Sequence, residues 1–246
     1  MSIYILNAQN GEQNKKITFT TKYREFFTAE AVALSSNGNF VALIDTLYMY
    51  VFDTMTGSQI SKMIYAGSSV GGSFSVSHAG DYIGVSYMKT RSITFGYEYY
   101  YKTYVLKKGD NEIIWESVAP DNYTSNSNQR ALTLFSADSN TFLALTNTRL
   151  TLFDSETGVQ LFSKNDAFSS KVTSAAISSD GTYILVGCED ETVYLLDQTG
   201  TILWSHNSLG SQVAASYDFE TIAVSSKYSI TVLDLQGNTT WTYTFP

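Results

Sequence analysis

The run Gly67-Ser68-Ser69-Val70-Gly71 has the G-x-S-x-G spacing of a nucleophile elbow, which holds a serine hydroxyl on a sharp strand-to-helix turn. That chemistry is acyl transfer, and it needs a histidine base and an oxyanion hole. The chain holds two histidines, His78 and His206, neither in a triad context, and no helical periodicity follows Gly71. The expectation is a linker between strands. A second candidate, Cys188-Glu189-Asp190-Glu191, offers one thiol and three carboxylates. Zinc needs more Cys or His than this chain has, and a hard cation needs several converging oxygens. Here the expectation is a solvated turn beside a buried thiol. No catalytic residue, cofactor-binding residue or metal ligand is assigned, and no cofactor is implied.

Composition narrows the remaining classes. With 15 Lys+Arg against 23 Asp+Glu, the net charge of −8 disfavours binding to nucleic acid, which requires clustered cations. A single cysteine excludes an intrachain disulfide. Met1 to Asn7 lacks the basic and apolar regions of a secretory signal, and no apolar run approaches the ~20 residues of a bilayer span. The expectation is a soluble chain without direct membrane insertion. The sequons Asn122-Tyr123-Thr124 and Asn238-Thr239-Thr240 permit an exposed location without establishing it; an extracytoplasmic or cell-surface place is expected only if an N-terminal segment is missing.

The elements that would position any site are strands. Residues 31–44 (AVALSSNGNFVALI) and 175–188 (AAISSDGTYILVGC) each give an apolar strand, a polar turn and a second apolar strand; weaker copies occupy 74–86, 132–146 and 213–226. Asn37-Gly38 and Asp180-Gly181 suit turns that need positive backbone angles. A second hairpin follows, an alternating strand ending in Asp53, Asp154, Asp197 or Asp234 with a glycine shortly after, placed for Asx turns. Asp154 to Asp197 is 43 residues and Asp197 to Asp234 is 37. Four strands, here a to d, in a unit of that length predict a single all-β domain over 1–246, a β-propeller of four-stranded antiparallel blades. Trp115, Trp204 and Trp241 fall at equivalent places in strand d and are expected to pack between blades.

The segments Asp53-Thr54-Met55-Thr56-Gly57, Asp154-Ser155-Glu156-Thr157-Gly158 and Gln198-Thr199-Gly200-Thr201-Ile202-Leu203-Trp204 resemble the PQQ-like, or quinoprotein-like, propeller repeat. The S-x-D-G turn also resembles WD40-like repeats, without their Gly-His and Trp-Asp signatures. Quinoprotein dehydrogenases of this resemblance use an adjacent-cysteine disulfide, which one cysteine cannot form. The resemblance implies a scaffold fold and leaves its use open.

Residues 2–11 (SIYILNAQNG) align with strand c, and Lys16 to Thr21 would be strand d. Strands c and d thus occur six times and a and b five times: five complete blades plus a half blade (c and d strands) at the N-terminus. An unpaired inner edge is a poor surface for a monomer. The imbalance points to a fragment of a longer propeller, a second chain supplying strands in a homo- or hetero-oligomer, or an irregular segment such as 22–30 filling the gap.

Counting the half blade as blade 1, blade 3 departs from the pattern. Between its strands b and c lies Met88–Lys102, crowded with Phe95, Tyr97, Tyr99, Tyr100 and Tyr101 beside Arg91; a polar stretch, 117–130 with Tyr123, follows. Both should project from the face that carries the b–c and d–a connections. Tyr-rich projections on a rigid scaffold suit binding, and an extended hairpin stiffened by its own aromatic pairs is the structural alternative. The expected function is a non-enzymatic interaction or scaffold module. Arg91, Phe95, Tyr97, Tyr99, Tyr100, Tyr101 and Tyr123 would contact a partner protein, or a glycan stacked on Tyr. The alternatives are a propeller enzyme or ligand-binding protein for carbohydrate or a quinone, and a structural subunit joined through unpaired blade edges.

Overall fold

The computed structural model describes residues 2–6, 10–18, 31–35, 37–44, 48–64, 72–94, 96–107, 112–120 and 131–245. Every regular element in it is a strand. Blade 1 is a two-stranded sheet, β1 (Ser2–Leu6) with β2 (Gln13–Thr18). Blade 2 comprises β3 (Ala31–Leu34), β4 (Phe40–Ile44), β5 (Tyr48–Asp53) and β6 (Gln59–Ile64). Blade 3 comprises β7 (Ser73–Val76), β8 (Tyr82–Ile93), β9 (Gly96–Lys107) and β10 (Ile113–Pro120). In blade 4 these are β11 (Ala131–Phe135), β12 (Thr141–Thr146), β13 (Arg149–Asp154) and β14 (Gln160–Lys164). Blade 5 holds β15 (Val172–Ile177), β16 (Tyr183–Cys188), β17 (Val193–Asp197) and β18 (Ile202–His206). Blade 6 holds β19 (Gln212–Ala215), β20 (Ile222–Ser225), β21 (Ser229–Leu233) and β22 (Thr239–Thr244).

Each sheet is an antiparallel meander in chain order. The architecture is that of a β-propeller with five full blades and an N-terminal pair of c and d strands, as the repeat predicts. β2 begins three residues before the expected Lys16, because Gln13 already pairs with Leu6 across a bulge. The inner strands follow one another around the arc, β3 beside β7, β7 beside β11, β11 beside β15 and β15 beside β19.

Two local devices recur. Strand a ends in Ser35, Ser77, Ser136, Ser178 or Ser216, whose hydroxyl accepts the backbone N–H five residues on at 2.9–3.0 Å. In four of the turns the same hydroxyl donates to an Asn or Asp two residues later. The hydroxyl closes the turn from inside, which leaves few buried backbone groups unpaired. At the c–d turn the carboxylates of Asp53, Asp154, Asp197 and Asp234 accept backbone N–H groups within the turn. The Thr157 hydroxyl hydrogen-bonded to Asp154, and Thr199 likewise at Asp197, hold these carboxyls below the ordinary carboxylate value.

The core lies between blades. The row facing the preceding blade includes the residue just before the turn aspartate: Phe52, Phe153, Leu196 and Leu233 are 0–3% exposed. Trp115 and Trp204 sit between blades as expected, each donating its indole N–H to the next blade's c–d turn, at Ser155 O (2.8 Å) and Leu235 O (2.9 Å). Trp241 does not: it is 54% exposed, and no indole hydrogen bond to a blade turn is seen for it among the described residues. Cys188 is buried, and burial, with Asp190 and Glu189 adding to it, pushes its thiol up to about 12. The run 67–71 lies outside the described residues. His78 is exposed in an a–b turn, and the His206 ring lies tilted against Trp204 at 5.2 Å, with its Nε2 2.9 Å from Gly237 O.

Candidate functional site

Blade 3 carries its insertion as strand. β8 and β9 are twelve residues each, about 40 Å of hairpin against the ~17–20 Å of an ordinary strand. Their register runs without a break from Tyr82↔Lys107 to Ile93↔Gly96. β10 follows β9 outward as far as Pro120↔Tyr100, so Ser117–Pro120, expected in a polar linker, form the third strand of the projection. Pro120 ends that edge strand, where its missing N–H costs no ladder bond.

Alternation sorts the tyrosines. Tyr101 pairs with Met88, is 3% exposed, and packs with Met88 and Ala131 of blade 4, Tyr99 lying against the same cluster. Tyr101 therefore leaves the set of contact residues: it braces the hairpin against its neighbour, because its face of β9 is the one that meets blade 4. Tyr99 and Tyr100 are half-buried. Arg91 and Tyr97 lie within the strands, in register with Glu98 and Ser92. Phe95 and Tyr123 lie outside the described residues. The stiffening differs from the expected aromatic pairing across the strands of the projection, where Met88, Lys89 and Thr90 face Tyr101, Tyr100 and Tyr99. At its base Tyr87 and Tyr104 meet edge to face at 6.0 Å, Ser86 and Thr103 share a buried hydroxyl contact of 3.0 Å, and Lys102 pairs with Glu116 at 2.7 Å.

Beside this base, between blades 3 and 4, is a cleft of about 60 Å³. Tyr101, Thr103 and Ser117 line one wall, and Thr146, Arg149 and Thr151 the other, with no carboxylate among its lining residues. The Arg149 Nε is buried without a hydrogen-bond partner, as is the side-chain amide of Asn147 in the same b–c turn. A guanidinium among hydroxyls is a seat for a carboxylate. The sequence reading passed over Arg149, since a single arginine at the start of an alternating strand carries no signal; the cleft exists only where two blades meet. Among the described residues no group of His, Cys, Asp and Glu is placed to hold a metal ion.

A comparison with curated proteins finds no match to the chain. Residues 146–246, from the end of β12 through the whole of blades 5 and 6, match the family described as outer membrane protein assembly factor BamB, and over that stretch the chain carries the PQQ-like repeat first seen in the turns at Asp154 and Asp197.

Proposed function

We propose that the chain is a non-enzymatic interaction module that docks a partner protein on the face carrying the β8–β9 hairpin. The observation that carries this is the hairpin itself: about twice the length of an ordinary strand pair, braced by Tyr101 and Met88, with Tyr99 and Tyr100 half-buried on it and Tyr101 lining the Arg149 cleft at its base. Rigid aromatic residues give contact area at low entropy cost, and Arg149, whose Nε keeps no hydrogen-bond partner, gives a seat for an acidic side chain of the partner. The description of the matched family, an assembly factor, supports an assembly role over turnover of a substrate.

The test is photo-crosslinking in the source cells from a reactive residue at Tyr100. The expected product is a discrete protein adduct that disappears when 91–98 are replaced by Asn-Gly, joining Thr90 to Tyr99, and weakens with Arg149→Gln. Adducts unchanged by both variants, in chains that remain folded, would remove this face from the function.

A further inference from the structure

We propose that the cleft between blades 3 and 4 is a ligand site in its own right. It takes a short aliphatic monocarboxylate, with the carboxylate on Arg149 and the tail toward Phe153, and a bound free acid keeps an acidic side chain of the partner out. The exclusion rests on the docking proposed for the β8–β9 face; the binding itself does not.

The cleft follows from a departure in the repeat. Three residues before the turn aspartate, strand c carries Tyr50 in blade 2 and Tyr194 in blade 5. Tyr50 is 1% exposed and stacks on Phe52, and Tyr194 packs against Phe168, so each fills its space with a ring. Blade 4 has Thr151 at that position, and about 60 Å³ stays open beside it. Blade 6 shares the threonine, as Thr231, but two residues earlier it has Ser229 where blade 4 has Arg149. Alternation turns Arg149, Thr151 and Phe153 toward blade 3, while Leu150 and Leu152 pack toward blade 5. Along β13 the cleft therefore meets a charge, then a hydroxyl, then a ring.

Charge, size and polarity select the ligand. The Arg149 Nε is buried without a hydrogen-bond partner, and Glu116 of β10 is already paired with Lys102 at 2.7 Å. A buried guanidinium donor gains a charge-assisted bond from an anion. Arg149 is the one cation among the described lining residues, so a monoanion is neutralised there, whereas a phosphate dianion would keep a charge unpaired. The volume has room for about four water-sized groups, the size of a carboxylate with one or two methylenes. Phe153, Ala144 and Val118 in the lining favour an aliphatic tail over a further polar group.

The full chain is titrated with acetate, propionate, phosphate and chloride at constant ionic strength while NMR follows the Arg149 Nε–H and the Ala144 and Thr151 amides. Propionate should shift all three saturably, binding about fourfold more tightly than acetate for its added methylene. Phosphate and chloride should give no saturable shift. Arg149→Lys keeps the charge but loses the fork, and should weaken propionate about tenfold in the two amide readouts. N-acetylglutamate α-amide stands in for the partner's side chain, and saturating propionate should lower the Tyr100 adduct in permeabilised source cells. No saturable propionate shift, or an equal response to chloride, overturns the site, and the docking face then stands or falls on its own adduct. A saturable shift with no adduct upholds the site and removes the docking face. Binding of N-acetylglutamate α-amide without propionate binding overturns the free-acid reading, and an adduct indifferent to saturating propionate overturns the exclusion.

Discussion

The indole N–H of Trp204 donates to the carbonyl of Leu235 at 2.9 Å, one residue past the turn aspartate of the next blade. Trp115 makes the same bond to Ser155, so one strand d side chain fastens each of these blades to the turn of its successor. Trp204→Ala and Trp115→Ala remove a large packed ring and a hydrogen bond, and each should cost about 3 kcal/mol. Trp241→Ala removes a ring with no such seat and should stay within about 0.5 kcal/mol. Urea unfolding of the three variants checks the contrast.

The seat imposes its own requirement. Gly158 has φ +71°, and a Cβ there would fall inside the Trp115 ring; at Gly237, φ +84°, it would meet Trp204 and His206 at 3.0–3.2 Å. Gly38 has φ +71° with nothing near it. Alanine at Gly38 should cost only the backbone term, about 1–2 kcal/mol, and alanine at Gly158 clearly more, read as a larger drop in the thermal midpoint.

Shortening the β8–β9 hairpin by replacing 91–98 with Asn-Gly leaves the Met88–Tyr101–Ala131 cluster in place. Circular dichroism and the urea midpoint should change little. Tyr101→Ala opens that cluster and should destabilise by about 3 kcal/mol, whereas Tyr100→Ala should be near neutral. An equal cost for the two tyrosines would refute the sorting of their faces.

Asp154 and Asp197 are held below the ordinary carboxylate value by the hydroxyls of Thr157 and Thr199. A carboxyl with a lowered pKa in the fold stabilises the fold above its unfolded value, and that contribution is lost as the pH falls through the folded value. The urea midpoint should therefore fall below about pH 4, and Asp154→Asn with Asp197→Asn should flatten that dependence. The effect is modest, because both carboxylates are exposed to solvent screening.

Cys188 is fully buried with its thiol pushed up to about 12. A thiol reagent at neutral pH should label it at the rate of unfolding, and fast labelling of the folded chain would contradict the burial.

The blades were legible in the residues because each repeat carries its own punctuation. The serine at the end of strand a, the Asx turn and the alternation of β13 or β17 act within a few residues of one another. The half blade was legible for the same reason: residues 2–6 read as strand c wherever they fold. The blade 3 insertion was recognised as a departure, but its state was not. Met88–Lys102 has the composition of a binding loop, and the continuous ladder from Tyr82 to Lys107 became visible only with β10 alongside it.

The sequence by itself determined the strand repeat, its turn chemistry and the imbalance of c and d over a and b, since these depend on local backbone preference and period-two patterning. Tertiary structure alone decided that Trp115 and Trp204 are seated while the equivalent Trp241 is exposed, which tyrosine faces inward, that Arg149 lines a cleft, and that Val32, Leu34 and Leu6 are exposed. Each of those depends on the blade next door, and burial against a neighbour is not encoded at the position that is buried.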